Sequence, residues 1–249
     1  MTRSLPPTAP IDETRLPPGQ AEWVAALVAR QAAAIQELSN EERLLYAHIW
    51  KYIARHATPP TARQFGHISA QTRRLKQAIE RLKERHLIWF DDVLQAILQC
   101  PPFSALSTHH QVKAFGWERT FACSFIDLPC TLVVYGPNVW LEARTACPRS
   151  GEVLTYRARM REDYTLQVET PAVNTWRAWL PLPPTPAPDP LLELSHLRSR
   201  IHAFYTLEDL DTHRQYDPTG VTGAVYTFDQ ALYLSQCLVQ AYILAMERR

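Results

Sequence analysis

The chain has 249 residues, a formal net charge of +1 and a pI near 7.7. It is long enough to bury a sizeable core, and its balanced charge gives no overall attraction to nucleic acid or to a membrane. Its longest apolar runs are short and interrupted by charges, which argues against a transmembrane span. The first ten residues lack the apolar stretch of a signal peptide, so we expect a cytoplasmic protein whose five cysteines are reduced.

Glycine is scarce and proline abundant, with 7 and 20 residues respectively. Neither a phosphate-binding glycine loop nor a dinucleotide fingerprint occurs, so we expect no cofactor. The histidines also lack the spacing of zinc ligands. His109 and His110 are expected to form a surface-loop pair, and His196, His202 and His213 are scattered.

The N-terminal part of the chain has a helical pattern. Residues 1–19 are Pro-rich and predict a disordered tail. Apolar residues at helical spacing then predict helices over 20–38, 40–55 and 69–85, with a short helix at 61–65 and Ser69 as the cap of the third long helix. The residues of the second helix predicted to face inward are Leu44, Leu45, Ile49, Trp50 and Ile53. Ser39 and Glu42 form a capping box for the second helix. Two strands, 87–90 and 93–98, follow the third helix, and this order predicts a winged-helix-like domain over residues 20–100.

Beyond residue 100 the pattern changes to short, β-branched segments separated by turns. The predicted strands are 111–115, 131–135, 139–141, 153–156 and 165–168. Residues 181–190 predict a Pro-rich connector, and the chain ends in a long helix whose first turn has Thr227 and Gln230 as a capping box. The predicted fold class is therefore α+β: an N-terminal winged-helix-like three-helix domain, then a domain of short strands flanked by helices over 101–249.

The third helix is cationic. Arg73, Arg74 and Lys76 fall early on what would be a recognition helix, where contacts to DNA are usually made. The alternative is a solvated helix face in a winged helix that serves only for packing, because a fold alone does not assign a function.

A thiol and an acid lie close together in the segment Cys123-Ser-Phe-Ile-Asp127, with Cys130 just beyond it. A thiolate can bind a soft metal, and a neighbouring carboxyl group can deliver a proton. Each residue also has a simpler interpretation. Cys123 and Cys130 could be buried core residues, and Asp127 could cap the turn that begins at Leu128.

This segment belongs to a larger pattern that resembles the organomercurial (alkylmercury) lyases. The resemblance covers about residues 40–240 and includes Arg119–Asp127, the interval to Gly136, Cys147–Gly151, Leu207–His213 and Gly223–Ala231. It implies a winged-helix-like domain joined to an alkylmercury-lyase-like domain at 101–249. The implied reaction is protonolysis of a carbon–mercury bond, in which two cysteine thiolates hold the metal and an aspartate donates the proton.

The chain departs from the family's pattern at both thiol positions. In the motif of a cysteine, two residues and an aspartate, Asp127 stands at the acid position, Ser124 at the cysteine position and Cys123 one residue early. The second cysteine should precede Glu208, but no cysteine occurs between Cys147 and Cys237, and residues 194–199 stand in that region.

These observations leave three hypotheses open. In a divergent lyase, Asp127 is the proton donor, Cys123 the metal-binding thiolate and Ser124 a replaced or auxiliary ligand, and the partner is a small organometallic or soft-metal ligand. In the second hypothesis, the protein is a non-catalytic winged-helix regulatory or DNA-binding protein derived from the lyase fold. In the third, Cys123 and Cys130 bind a soft metal without turnover.

Overall fold

The computed structural model describes residues 10–66, 72–169, 175–181, 188–216 and 222–246. Helices pack against antiparallel sheets, which confirms the α+β class. The α-helices are α1 (Ala21–Gln36), α2 (Asn40–His56), α3 (Thr72–Glu84), α4 (Leu132–Tyr135), α5 (Pro190–Leu197), α6 (Leu207–Gln215) and α7 (Phe228–Met246). Short 3-10 helices lie at Glu13–Arg15, Ala62–Phe65, Pro129–Thr131 and Arg198–Arg200.

The strands form two sheets in which all pairs are antiparallel. They are β1 (Trp89–Asp91), β2 (Ala96–Cys100), β3 (Phe103–Ser104), β4 (His110–Ala114), β5 (Thr120–Ala122), β6 (Trp140–Ala146), β7 (Val153–Met160), β8 (Leu166–Glu169), β9 (Arg177–Leu180), β10 (His202–Phe204) and β11 (Ala224–Thr227). The larger sheet has the order β1-β2-β3-β5-β4-β6-β7-β8, and the smaller has the order β10-β9-β11.

The predicted capping boxes are confirmed at two helices. The Ser39 side chain accepts a hydrogen bond from the Glu42 amide at 3.3 Å, and the Glu42 carboxylate accepts one from the Ser39 amide at 2.8 Å. Thr227 and Gln230 make the same reciprocal pair at the start of α7, at 2.9 and 3.3 Å. These bonds satisfy amides that a helix leaves unpaired in its first turn, which is why both helices begin where the sequence predicts.

The predicted inward stripe of α2 is correct except at Leu44. Leu45, Ile49, Trp50 and Ile53 are each no more than 1 % exposed, whereas Leu44 is 45 % exposed. Leu44 lies on the same side of the helix as Lys51 and Arg55, which are also exposed, because positions i, i+7 and i+11 share one helical face.

The predicted strand at 131–135 is wrong. Residues 129–135 are helical, as a 3-10 turn that continues into α4. The stretch Thr-Leu-Val-Val-Tyr favours a strand by local propensity, but Pro129 at the first helical position favours a helix start. Both faces of this short helix are buried, because Leu132 and Val133 are at most 4 % exposed. Tertiary packing therefore overrides the β propensity.

The two wing strands continue directly into the larger sheet. β1 pairs with β2, as the sequence predicts, and β2 pairs with β3 across residues 101 and 102. The predicted domain limits of 20–100 and 101–249 remain a prediction, and Ser69, expected to cap the third helix, lies outside the described residues.

The predicted N-terminal tail contains ordered contacts over residues 10–19. Leu16 is 4 % exposed, and the Asp12 amide donates a hydrogen bond to the Tyr233 hydroxyl of α7 at 2.6 Å. This part of the tail therefore packs on the body of the protein. Residues 1–9, and residues 182–187 of the predicted connector, are outside the described part of the chain. Among the described helices, none is long and apolar enough to cross a membrane.

One glycine gives a direct test of how β9 and β11 pack. A Cβ atom at position 223 would lie 2.5 Å from Trp179 Nε1 and 2.9 Å from Pro181 Cα, and would also collide with the Leu180 carbonyl oxygen. We expect Gly223→Ala to lower the free energy of unfolding by about 1–3 kcal/mol, because the clash is with backbone that cannot easily move. Urea denaturation would measure this change.

The matched control for this prediction is Gly66→Ala. Gly66 has a φ of −56°, and its nearest neighbour to an added Cβ is the Arg63 carbonyl oxygen at 3.7 Å. We expect the control to change stability by less than about 1 kcal/mol. Equal stabilities of the two variants would contradict the close packing around Gly223.

Candidate functional site

Asp127 lies in a tight turn between β5 and the 3-10 helix Pro129–Thr131. The Asp127 amide donates to the Ser124 carbonyl at 3.2 Å, and the Asp127 carbonyl accepts from the Thr131 amide at 3.2 Å. This turn places the two side chains on one side, where Ser124 Oγ donates a hydrogen bond to Asp127 Oδ2 at 2.5 Å. Both residues are fully buried. The Asp127 side chain makes no cap bond to the following turn, so its interpretation as an N-cap is wrong.

The second oxygen of Asp127 is held by an arginine from the end of α5. Arg198 Nη1 donates to Asp127 Oδ1, and Arg198 Nη2 donates to the Tyr242 hydroxyl of α7 at 3.0 Å. Arg198 is 1 % exposed. Burial acts to lower the pKa of its guanidinium, but the charge and hydrogen bond of Asp127, together with Tyr242 and Cys123, raise the pKa well above its ordinary value. The arginine is therefore a buried cation, paired with a buried carboxylate.

The backbone joins the two halves of this site. The Phe125 amide donates to the Ile201 carbonyl at 3.1 Å, so the turn that carries Asp127 is fixed against the segment that carries Arg198. From α7, Ser235 Oγ donates to the Ile126 carbonyl at 2.8 Å. The positions of the acid and the arginine are thus set by bonds independent of their own ion pair.

The Cys123 thiol lies beside Asp127 but points to a strand. Its Sγ donates to the Phe103 carbonyl of β3 at 3.0 Å, and its amide donates to the Pro102 carbonyl at 3.0 Å. Burial raises the pKa of the thiol well above its ordinary value, and the charge of Asp127 raises it further, against a smaller opposite effect of Arg198. Cys123 is therefore a protonated thiol at neutral pH.

The remaining cysteines are also free and buried. Cys130 Sγ lies 3.3 Å from the Ile126 carbonyl oxygen, and burial raises the pKa of its thiol well above the ordinary value. Cys100 is distant from Cys123 in the sequence but is its neighbour in the fold. The reason is the strand order, in which Cys100 pairs with Phe103 and Phe103 with Ala122. Burial, and then the Cys123 thiol, raise the pKa of Cys100.

The described residues contain no group of three or more His, Cys, Asp or Glu side chains arranged to hold a metal ion. The arrangement around Asp127 is instead a chain of hydrogen bonds from Ser124 through Asp127 and Arg198 to Tyr242. Sequence reasoning identified the stretch 194–199 as the replacement for a missing cysteine but did not identify Arg198. The segment from Ser195 to Arg200 is polar and holds a second arginine, Arg200, so its residue pattern does not single out Arg198.

A cavity of about 350 Å³ opens on the other side of Arg198. It lies between the end of α3 with the wing strands and the end of α5. Its lining residues are Lys83, His86, Ile88, Trp89, Phe90, Gln99, Pro101, Ser195, His196, Arg198 and Ser199. Arg198 is therefore the residue that joins the cavity to the buried Asp127.

Four histidines that are distant in sequence come together away from this cavity. The ring of His202 lies 5.7 Å from that of His110, 6.0 Å from His109 and 6.3 Å from His213. Burial lowers the pKa of His202 to about 4, with further lowering by His109 and His213. His110 is 2 % exposed and bonds Thr145 at 2.9 Å, so the prediction of a surface-loop pair is wrong for His110.

Arg73, Arg74 and Lys76 are exposed on α3, as a DNA-contacting surface requires. The same helix has Glu80 and Glu84 in its second half, and Lys76 and Glu80 line one shallow depression with Arg73. The role of these three basic residues in DNA contact remains a prediction.

Comparison with known proteins gives a similarity of fold. No family model and no curated protein matches the chain. Among solved structures, the crystal structure of the mercury-bound form of MerB2 matches with a TM-score of 0.64 and 17 % sequence identity. The match covers 87 % of this chain and 98 % of that one. The similarity extends over most of both chains and shows that the two proteins share a fold.

The buried ion pair generates a double-mutant prediction. We expect Arg198→Met to lower the free energy of unfolding by about 3–5 kcal/mol, because it leaves a buried carboxylate unpaired. Asp127→Asn should lower the free energy of unfolding much less in the Arg198→Met variant than in the wild type. In that variant the Asp127 carboxylate has already lost its counter-ion. Urea denaturation of the four proteins gives the coupling energy.

Tyr242→Phe is the control for this cycle. It removes one hydroxyl from Arg198 but leaves the ion pair intact, so it should destabilise by no more than about 1.5–3 kcal/mol. Additive effects of the Asp127 and Arg198 substitutions would show that the two side chains do not interact.

Proposed function

We propose that this protein is a non-catalytic binding protein built on a lyase-like fold, and that it does not cleave carbon–mercury bonds. The observation that carries the proposal is the buried ion pair of Asp127 with Arg198. The acid position of the lyase motif is occupied, but both carboxylate oxygens accept hydrogen bonds, one from Ser124 and one from the guanidinium.

Protonolysis needs a carboxyl group that holds a proton when the carbon atom departs. A guanidinium is permanently charged, and its bond to a carboxylate is strongest when the carboxylate is ionised. The bond from Arg198 is therefore strongest with the carboxylate form of Asp127, which has no proton to donate. Release of this restraint would require a buried cation to lose its counter-ion, which is strongly unfavourable.

The metal-binding half of the reaction lacks its ligands as well. Soft metals bind thiolates, and the pKa of Cys123 is raised by burial and by Asp127. The Cys123 thiol is engaged with the Phe103 carbonyl, and Ser124 offers only a hydroxyl, which is a poor ligand for mercury. These features support ligand binding without turnover, with the cavity beside Arg198 as the binding site.

Carbon–mercury protonolysis is the competing candidate. Two observations support it: the shared fold with the mercury-bound form of MerB2, and the closeness of Cys123 to Asp127, whose charge acts on the thiol. In that mechanism Cys123 would bind the metal as thiolate, Asp127 would donate the proton, and Ser124 would be an auxiliary ligand.

An organomercurial assay separates the two candidates. Incubated with methylmercury or phenylmercury and excess thiol, the purified protein should release no methane or benzene above a protein-free thiol blank, because both oxygens of Asp127 are engaged by Ser124 and Arg198. Headspace gas chromatography measures the hydrocarbon. Release that is abolished by Asp127→Asn and by Cys123→Ala would identify the protein as a lyase and contradict the proposal.

DNA binding is a second candidate, favoured by the exposure of Arg73, Arg74 and Lys76. If these residues contact phosphates, their triple alanine variant should bind genomic fragments more weakly. The slope of log affinity against log salt concentration should also fall by the amount expected for about three phosphate contacts. The matched control replaces Arg144, Arg157 and Arg161 by alanine, which removes the same charge from another exposed surface. Gel shifts at several salt concentrations would test this, and equal effects of the two triple variants would exclude α3 as the contact.

A further inference from the structure

We propose that the cavity beside Arg198 binds a single-ring aromatic carboxylate, with the carboxylate toward Arg198 and Lys83 and the ring against Trp89 and Phe90. This inference rests on the proposed binding function and names its ligand class. The cavity volume of about 350 Å³ falls at the lower end of the range for small-molecule sites, which suits one ring with a small substituent.

The charges around the cavity favour an anion. Lys83 and Arg198 are cationic, with Arg198 paired to Asp127 behind the cavity, and the lining residues among those that the structure describes include no aspartate or glutamate. Lys83 is paired with Asp92 at 2.9 Å, but both side chains are partly exposed, at 36 % and 68 %. Such exposed pairs are weak, so the ammonium can turn to an anion in the cavity at small cost.

Arg198 has a donor that its known partners leave unused. Its two terminal nitrogens bond Asp127 and Tyr242, whereas its buried Nε has no hydrogen-bond partner among the described residues. A buried donor without a partner is rare in folded proteins, because it has lost its bond to water. Because Arg198 is 1 % exposed, this Nε–H is closed off from the cavity, so a ligand carboxylate would contact Lys83 directly and interact with Arg198 through its charge.

The remaining wall favours an aromatic ring. Trp89 lines the cavity and is 55 % exposed as a whole although it is a large apolar residue, and Phe90, Ile88 and Pro101 extend the apolar surface. Stacking on such a wall would bury apolar area of both ligand and protein. Burial lowers the pKa of His86, so at neutral pH this imidazole is uncharged and can contribute only hydrogen bonds.

Isothermal titration calorimetry with benzoate tests the proposal. We expect benzoate to bind, and benzamide, its neutral isostere, to bind at least tenfold more weakly, because the amide lacks the charge that Lys83 and Arg198 attract. Acetate and inorganic phosphate should also bind at least tenfold more weakly than benzoate, since neither has a ring. Comparable binding of any of the three would overturn the assignment of an aromatic carboxylate.

Lys83→Gln and Lys76→Gln form a matched pair of variants. Both remove one positive charge from α3, but only Lys83 lines the cavity. Lys83→Gln should weaken benzoate binding about tenfold, in keeping with the loss of one charge-assisted hydrogen bond, and Lys76→Gln should leave it unchanged. Trp89→Ala should weaken it as well, and because Trp89 is exposed this variant is expected to fold.

The two proposals fail in different experiments. Absence of benzoate binding by the folded wild type, or equal binding by the two lysine variants, would overturn the ligand class. Hydrocarbon release from an organomercurial would overturn the non-catalytic function, whatever the result with benzoate.

Discussion

The buried ion pair of Asp127 and Arg198 is the interaction on which the site depends. It joins the turn after β5 to the end of α5, and through Tyr242 it reaches α7. Two charges removed from water are tolerated only when each is well bonded, and here the Ser124 hydroxyl and the Tyr242 hydroxyl supply the additional bonds. The surrounding backbone bonds, such as that from Phe125 to Ile201, fix the two segments so that the pair can form.

The same pair decides what chemistry the site can perform. A carboxylate held by a guanidinium is a poor source of protons, and its charge also raises the pKa of the neighbouring Cys123 thiol. The charge of Asp127 thus disfavours the thiolate of Cys123, while Arg198 is placed to pair with the carboxylate form of Asp127. On the outer side, Arg198 is one of the residues that line a cavity with aromatic walls. A site of this kind is suited to recognising an anion.

Much of the fold could be predicted because it is determined locally. The capping boxes at Ser39 and Thr227 fix the starts of two helices through bonds between residues three apart, and helical periodicity identifies the buried side of α2. Local reasoning failed at 131–135, where β-branched residues suggest a strand but packing imposes a helix. It also failed at His110, which lies buried against His202 because β4 and β10 come together only in the folded protein.

By itself, the sequence determined the α+β class, the resemblance to organomercurial lyases, the acid at Asp127 and the absence of a cysteine at Ser124 and in 194–199. These are properties of residue type and spacing, which need no knowledge of distant contacts. Only the tertiary structure decided the partners: that Arg198 neutralises Asp127, that the Cys123 thiol bonds the Phe103 carbonyl, and that Cys100 is its neighbour. Arg198 is 71 positions from Asp127. A single charged pair at that separation leaves no periodic pattern in the sequence, and it forms only when three separate segments pack around it.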